Sequence, residues 1–414
     1  MNIVHLIHRF PPGIGGAETW CEGVVHYLAA RGHAVEVLTF RITDEEELWG
    51  LRRRVLGPVT VGCVDLYPGI RVRRCAPSPG VAGGLLRAAD RLAVRVPGRY
   101  SAELFGLALA AARRADLIHL HHCTVPLSFW GLAVARLTRR PVVVTPHFHP
   151  GDPFYEQRAS RWLLRRCGVV ITVTPYEASL LELRGVPASR VVVASNAVDL
   201  DRFGVATTRG IRAQVRDQWG LEPGTRVVTF VGRKSPQKGI PILVEAVAAL
   251  SQEIDVVLVL VGPSSDSYKE ARGSWDRGRL RLIELPAIPD EAKRAVLAAS
   301  DVVVQPSVRE AFGIVFLEAW ASGVPVIGAA HGAVPDVVGE GGLVFTPESP
   351  TDLSAKLHWL LTNRDEARAM ASRGRQRVAR EHTWDRVGAA VERAYALALG
   401  PQRPLHPAGM RSAA

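Results

Sequence analysis

The chain has 414 residues, 47% of them hydrophobic and 22% charged. That is too long for one ordinary core and has the profile of a folded rather than a disordered protein. Its 51 basic and 40 acidic residues leave a net charge of +11, which suits anionic partners such as phosphorylated ligands or membrane surfaces. The 5 cysteines are odd in number and none forms a CxxC pair, so neither a disulfide framework nor a zinc site is indicated. No apolar run reaches the roughly eighteen residues of a spanning helix, and no basic start leads into a signal-like segment. A cytoplasmic location with reduced thiols is expected.

In chain order, short runs rich in Val and Ile predict strands at Ile3–Ile7, Val35–Thr39, Leu117–Leu120, Val142–Thr145, Val169–Val173 and Val191–Ala194. A second series follows at Val227–Val231, Val256–Val261, Leu280–Leu285, Val302–Gln305, Val324–Ile327 and Leu343–Phe345. Continuous apolar strands alternating with helical segments indicate parallel sheets covered on both faces, hence two α/β, Rossmann-like units. The stretch 41–100 is Pro-rich and irregular, with extra strands expected at Val59–Val64 and Ile70–Arg74. The expected domains are 1–189 and 190–383, with a closing helix at 384–400 and a disordered tail at 401–414.

Three loops carry the chemistry. After the strand at Val302–Gln305 comes Pro306-Ser307-Val308-Arg309-Glu310-Ala311-Phe312-Gly313, leading into a helix that contains Glu318. Free N–H groups at such a helix start favour a diphosphate, and Gly313 permits close backbone approach. Glu318 lies among Val315, Phe316, Leu317, Ala319 and Trp320, so its carboxylate needs a partner, for which two ribose hydroxyls are suited. After the strand at Val227–Val231 comes Gly232-Arg233-Lys234-Ser235-Pro236-Gln237-Lys238-Gly239, in which Arg233 and Lys238 can clamp a diphosphate. It does not fit a Walker A loop. The loop after the first strand, Phe10 to Glu18, has Gly15 and Gly16 where phosphate or sugar can approach. It fails the dinucleotide fingerprint at Glu18, and Thr39-Phe40-Arg41 lacks the acidic residue for an adenine ribose.

His147 follows the strand at Val142–Thr145 and is expected to hydrogen-bond within a crevice. His119, His121 and His122 follow the preceding strand; such clustering admits a metal site, and satisfaction by backbone is the competing reading. No carboxylate or cysteine stands at characteristic spacing from His147 and His149, so no metal is expected. Arg158, Arg161 and Arg165 fall on one stripe of a helix over Tyr155–Cys167, suited either to a peripheral anionic membrane contact or to an ordinary solvated face.

Taken together, Gly15-Gly16 with Glu18, His147, Ser195-Asn196-Ala197-Val198-Asp199, Gly232-Arg233, Lys238-Gly239, Glu310-Ala311-Phe312-Gly313, Glu318-Ala319, Gly323-Val324-Pro325-Val326-Ile327 and Thr383-Trp384 resemble the retaining glycosyltransferases of GT-B fold in the large family often called family four. The resemblance runs from Asn2 to about Leu399. Ala197 and Ala311 stand where that family usually or often has glycine.

The resemblance implies two Rossmann-like domains facing across a cleft, with the acceptor on the N-terminal domain and a nucleotide-diphosphate sugar on the C-terminal one. It gives Arg233 and Lys238 to the diphosphate, Glu318 to the ribose and Glu310 to the transferred sugar. Backbone amides of Phe312, Gly313, Ile314 and Val315 would meet sugar and phosphates. Gly15 and Gly16 would approach the diphosphate, and His147 the sugar or acceptor. It also implies retention of anomeric configuration, without a metal or other cofactor. Acceptors of the glycan, lipid-linked or small-molecule classes fit equally. A nucleotide-sugar epimerase of the same layout and a non-catalytic nucleotide-sugar-binding protein are the competing readings. A nucleic-acid partner would rest on net charge alone and is not expected.

Overall fold

A computed structural model describes residues 1–13, 15–42, 63–76, 101–149, 152, 155–203, 208–275 and 277–400. The expected tail at 401–414 and the part of the expected strand at 59–62 lie outside the described residues.

The strands in chain order are β1 (Asn2–Leu6), β2 (Ala34–Phe40), β3 (Cys63–Tyr67), β4 (Ile70–Cys75), β5 (Leu117–His121), β6 (Val142–Thr145), β7 (Val169–Thr172) and β8 (Val191–Val193), followed by β9 (Arg226–Val231), β10 (Val256–Val261), β11 (Arg281–Leu285), β12 (Val302–Gln305), β13 (Val326–Ala329) and β14 (Gly342–Phe345). They form two sheets, ordered β3-β4-β2-β1-β5-β6-β7-β8 and β11-β10-β9-β12-β13-β14. Runs such as Val256 to Val261 are apolar at every position because every position is covered, from above and below. The pairs are parallel except β3 with β4. These two are joined by Pro68-Gly69 alone, and a connection that short permits only an antiparallel return.

The chain divides into one unit of Met1–Ser195 with Trp384–Ala414 and a second of Asn196–Thr383. The break falls at 195/196 rather than 189/190 because β8 pairs with β7 and so belongs to the first sheet. In the first unit, helix Trp384–Leu399 packs on helix Gly16–Ala30. The Trp384 ring fills the space over Gly23, and the Tyr27 hydroxyl donates to Glu392 at 3.2 Å. In the second unit, Trp320 is fully buried and its indole N–H donates to the Gly341 carbonyl at 2.8 Å. Among the described residues no helix is long and apolar enough to cross a membrane.

Candidate active site

The second sheet has the order 3-2-1-4-5-6 when its strands are numbered within the unit. In such a sheet the chain turns away on opposite sides of the first and fourth strands, and the crevice beyond their carboxyl ends is where ligands bind. Those strands are β9 and β12, and the two loops singled out from sequence leave from their ends. Gln305 Nε2 donates to the Val231 carbonyl at 2.8 Å, tying the strand ends together. At the loops, Lys238 Nζ donates to Glu310 Oε2 at 3.0 Å, with the two side chains one-third and one-sixth exposed.

Of the three cations in the loop after β9, Lys234 turns inward. Its ammonium donates to the Leu285 carbonyl at 3.0 Å and stands 3.8 Å from Glu284. Arg233 and Lys238 are left half-buried on the loop. Gly313 adopts φ 87 and starts the helix Ile314–Ala321. Ile314 and Val315 occupy its first positions, where amides lack intrahelical acceptors. The Phe312 side chain is buried edge-on against His382, at 5.5 Å between ring centroids, so this residue can offer a ligand only its backbone.

Glu318 is buried, as its apolar neighbours require, and it does have a partner. Lys293 Nζ donates to its Oε1 at 2.6 Å and also pairs with Asp290 at 3.1 Å. Burial pulls the Lys293 ammonium down, but the two carboxylates outweigh it and its pKa is raised. Lys293 lies 25 residues before Glu318, on a separate helix, Asp290–Ala299, and nothing local marks it. The structure therefore joins Lys238 to Glu310 directly and gives Glu318 a different cation.

In the first unit, the loop after β1 is held by a buried ion pair, Arg9 Nε to Glu18 Oε1 at 2.6 Å. A Cβ on Gly15 would lie 2.2 Å from Glu18 Oε2, so only glycine leaves room for that pair. Gly16 opens the helix Gly16–Ala30. Arg9 is a partner the sequence did not single out.

His147 sits at φ 48, a left-handed conformation costly for a non-glycine residue and concentrated at functional sites. It is buried edge-on to Trp20 at 5.6 Å, and its Nε2 has no hydrogen-bond partner. Backbone does not satisfy the rings of His119 and His121. His119 Nδ1 meets the Tyr395 hydroxyl and Nε2 meets Thr145 Oγ1, each at 2.8 Å. His121 Nε2 lies 3.1 Å from His5 Nδ1, and His122 Nε2 is buried without a partner.

The strained His147 turn has a tether. Glu177 Oε1 accepts the Phe148 amide at 2.9 Å, Oε2 accepts the Val173 amide at 2.7 Å, and the Glu177 amide donates to Thr174 Oγ1 at 3.0 Å. Burial pushes this carboxyl from 4.5 up to about 7, against the two amide bonds that favour its ionised form. The folded chain thus favours the protonated acid. Its contribution to stability is full below the unfolded value of 4.5 and declines as pH rises through about 7. Glu177→Gln keeps an acceptor oxygen and removes the titration. Its melting temperature should change less than the wild type's between about pH 5 and about pH 8. An unchanged difference would contradict this linkage.

The helix around Trp162 spans Arg158–Leu164, shorter than Tyr155–Cys167. Arg158 and Trp162 are exposed, Arg161 is half-buried, and Arg165 is tied to the Arg184 carbonyl at 2.7 Å. Arg166 covers the Trp162 ring at 4.3 Å.

Residues 211–377 match the family of glycosyl transferases group 1, and residues 14–202 match Glycosyltransferase Family 4. A D-inositol 3-phosphate glycosyltransferase of Salinispora tropica is 32% identical over 92% of this chain and 82% of its own. An MMP alpha-(1->4)-mannosyltransferase of Mycolicibacterium hassiacum is 28% identical over 96% of this chain and 98% of its own. Among solved structures, Anabaena Alr3699/HepE in complex with UDP and glucose shares the fold at TM-score 0.74 and 21% identity, covering 95% of this chain and 99% of that one. Two Rossmann-like units, the loops that close their sheets and these kinships agree: the chain belongs to the group 1 glycosyltransferases of GT-B fold.

Proposed function

We propose that this glycosyltransferase takes its sugar from a nucleoside-diphosphate donor held by the second unit and transfers it with retention of anomeric configuration. The observation that carries the reading is the 3.0 Å contact of Lys238 with Glu310 at the switch point of the second sheet. It gathers a cation for a diphosphate and a carboxylate for a sugar where such sheets bind ligands. Breaking a sugar–phosphate bond leaves positive charge on the anomeric carbon and negative charge on the departing phosphate. Arg233, Lys238 and the amides of Gly313, Ile314 and Val315 offset the latter. Glu310 steadies the former and orients the sugar, as a positioning group rather than a nucleophile. Glu318, with Lys293 behind it, accepts the ribose hydroxyls.

On the first unit, His147 Nε2 is the group proposed to meet an acceptor hydroxyl. The net charge of +11 and the relative named for D-inositol 3-phosphate support an acceptor carrying phosphate. UDP-, GDP- and ADP-sugars should separate by thermal stabilisation. The cognate donor at about 100 times its Kd adds about 2.7 kcal/mol. With that donor and D-inositol 3-phosphate or a related polyol phosphate, NMR of the product should show the donor's anomeric configuration. An inverted product overturns retention, and no shift with any nucleotide sugar overturns the donor assignment.

The exposed pair Arg158 and Trp162 supports a second element of the reading, peripheral contact with an anionic membrane face. Phosphatidylglycerol-containing vesicles should sediment the wild type, and Trp162→Ala should reduce binding several-fold. Equal sedimentation with neutral vesicles would remove this element.

A further inference from the structure

Three imidazoles, a thiol and a phenol lie on one buried face of the first sheet, where Val or Ile would pack at less cost. His5 on β1 and His119 and His121 on β5 share that face because strand side chains alternate. Cys21 and Trp20 reach them from helix Gly16–Ala30, and Tyr395 from helix Trp384–Leu399. His5, His119, Cys21, His121 and Tyr395 are all fully shielded from solvent.

Part of this cluster is a complete hydrogen-bond chain. Thr145 Oγ1 and the Tyr395 hydroxyl occupy both nitrogens of His119, and the same hydroxyl lies 3.4 Å from His5 Nε2. A consistent assignment has His5 Nε2–H donate to Tyr395, Tyr395 to His119 Nδ1, and His119 Nε2–H to Thr145. That leaves a bare lone pair on His5 Nδ1.

The other part is incompletely satisfied by hydrogen bonds. His5 Nδ1 and His121 Nε2 are 3.1 Å apart, Cys21 Sγ is 3.4 Å from His121 Nε2, and it is 4.0 Å from His5 Nδ1. If His121 carries its proton on Nε2, the Cys21 thiol loses that nitrogen as acceptor and the His121 Nδ1 lone pair is buried without a partner. If the proton is on Nδ1, two bare lone pairs face each other. Either way three good metal ligands converge. All their ligand atoms fall within 4.8 Å of one another.

We infer that His5 Nδ1, His121 Nε2 and Cys21 Sγ form a binding site for a zinc ion that clasps β1, β5 and helix Gly16–Ala30. Tetrahedral zinc with Zn–N of about 2.0–2.1 Å and Zn–S of about 2.3 Å sets ligand atoms about 3.3 Å apart for two nitrogens and about 3.6 Å for nitrogen and sulfur. The three observed separations lie within a few tenths of an ångström of these. The Tyr395 hydroxyl on His5 Nε2 is the outer contact that fixes a ligating ring. Neutral imidazoles offer the ion a nitrogen lone pair each. The Cys21 thiol must give up its proton to ligate, so binding would release one H⁺ per ion. The existence of the site does not depend on the proposed donor or acceptor. Sequence spacing hid it, since Cys21 stands 16 residues from His5 and 100 from His121.

The test uses the full chain after chelator treatment. Titration with cobalt(II) as a zinc surrogate should give one ion per chain with a thiolate-to-cobalt charge-transfer band, and zinc should displace it. Cys21→Ala should abolish the band, and His5→Gln should weaken cobalt binding at least about 100-fold. Retained donor-induced thermal shifts would show that both variants stay folded. If either misfolds, the wild-type titration and the other variant still decide. No charge-transfer band in the wild type, a band retained in Cys21→Ala, or undiminished cobalt affinity in His5→Gln would overturn the assignment.

Discussion

Arg233→Ala should slow turnover about 10²–10³-fold at saturating donor, the usual cost of deleting one preorganised donor to a developing anion. Arg233 stands in the loop just beyond β9, at the switch point, and its neighbour Lys234 cannot substitute. The Lys234 ammonium is committed to the Leu285 carbonyl and Glu284. Lys238 also cannot take over unaided, because it already balances Glu310 at 3.0 Å. On the proposed reading, removing Arg233 leaves the departing diphosphate short of one charge while Glu310 stays in place. The measurement is kcat with a melting curve as the control for folding. A near-normal kcat with intact donor affinity would remove Arg233 from the leaving-group role. Lys238→Ala should be as slow or slower, since it also releases Glu310 from its partner.

Gly239→Val should cost about 2–5 kcal/mol of stability and abolish donor-induced thermal stabilisation. Gly239 has φ 73, a conformation a β-branched residue adopts only under strain. The added Cβ would also lie 2.6 Å from the Pro306 carbonyl oxygen and 2.9 Å from its carbon. The obstacle is backbone, which does not swing aside as a side-chain tip would. The loop after β12 would have to retreat from the loop after β9, taking Glu310 away from Lys238. Gly224→Val is the comparison, because nothing lies within 4 Å of a Cβ there. Urea unfolding should separate the two variants clearly, and equal losses would deny any special closeness between the loops.

The fold was legible because its strands are short, apolar and regularly spaced. β6, β10 and β12 begin and end where the Val-rich runs do. β13 begins two residues later than expected, after the helix ending at Ala321 is closed through Gly323, at φ 74, and Pro325. The antiparallel β3 was not foreseen as such, because hydrophobic pattern gives position and not direction. In the candidate site, the local parts were readable: a loop, a helix start and charged residues within a few positions. The pairings were not. Lys293 with Glu318, Arg9 with Glu18 and Glu177 with the Phe148 amide are made by the fold, between elements whose sequences carry no mark of one another. The histidines of β5 left a metal site and satisfaction by backbone as competing readings, and only the sheet brings His5 beside them.

The return of helix Trp384–Leu399 to the first unit has a consequence for how the polypeptide is made. Helix Gly16–Ala30 emerges before the whole of Asn196–Thr383, yet Trp384 over Gly23, Glu392 against Tyr27 and Tyr395 among the imidazoles arrive only after that segment. The middle segment, Asn196–Thr383, is continuous and can close its own core on the ribosome, whereas the portion made before it waits, one face uncovered, until Trp384–Leu399 has emerged. A truncation that removes the last helix would therefore harm the part of the molecule most distant from it in sequence.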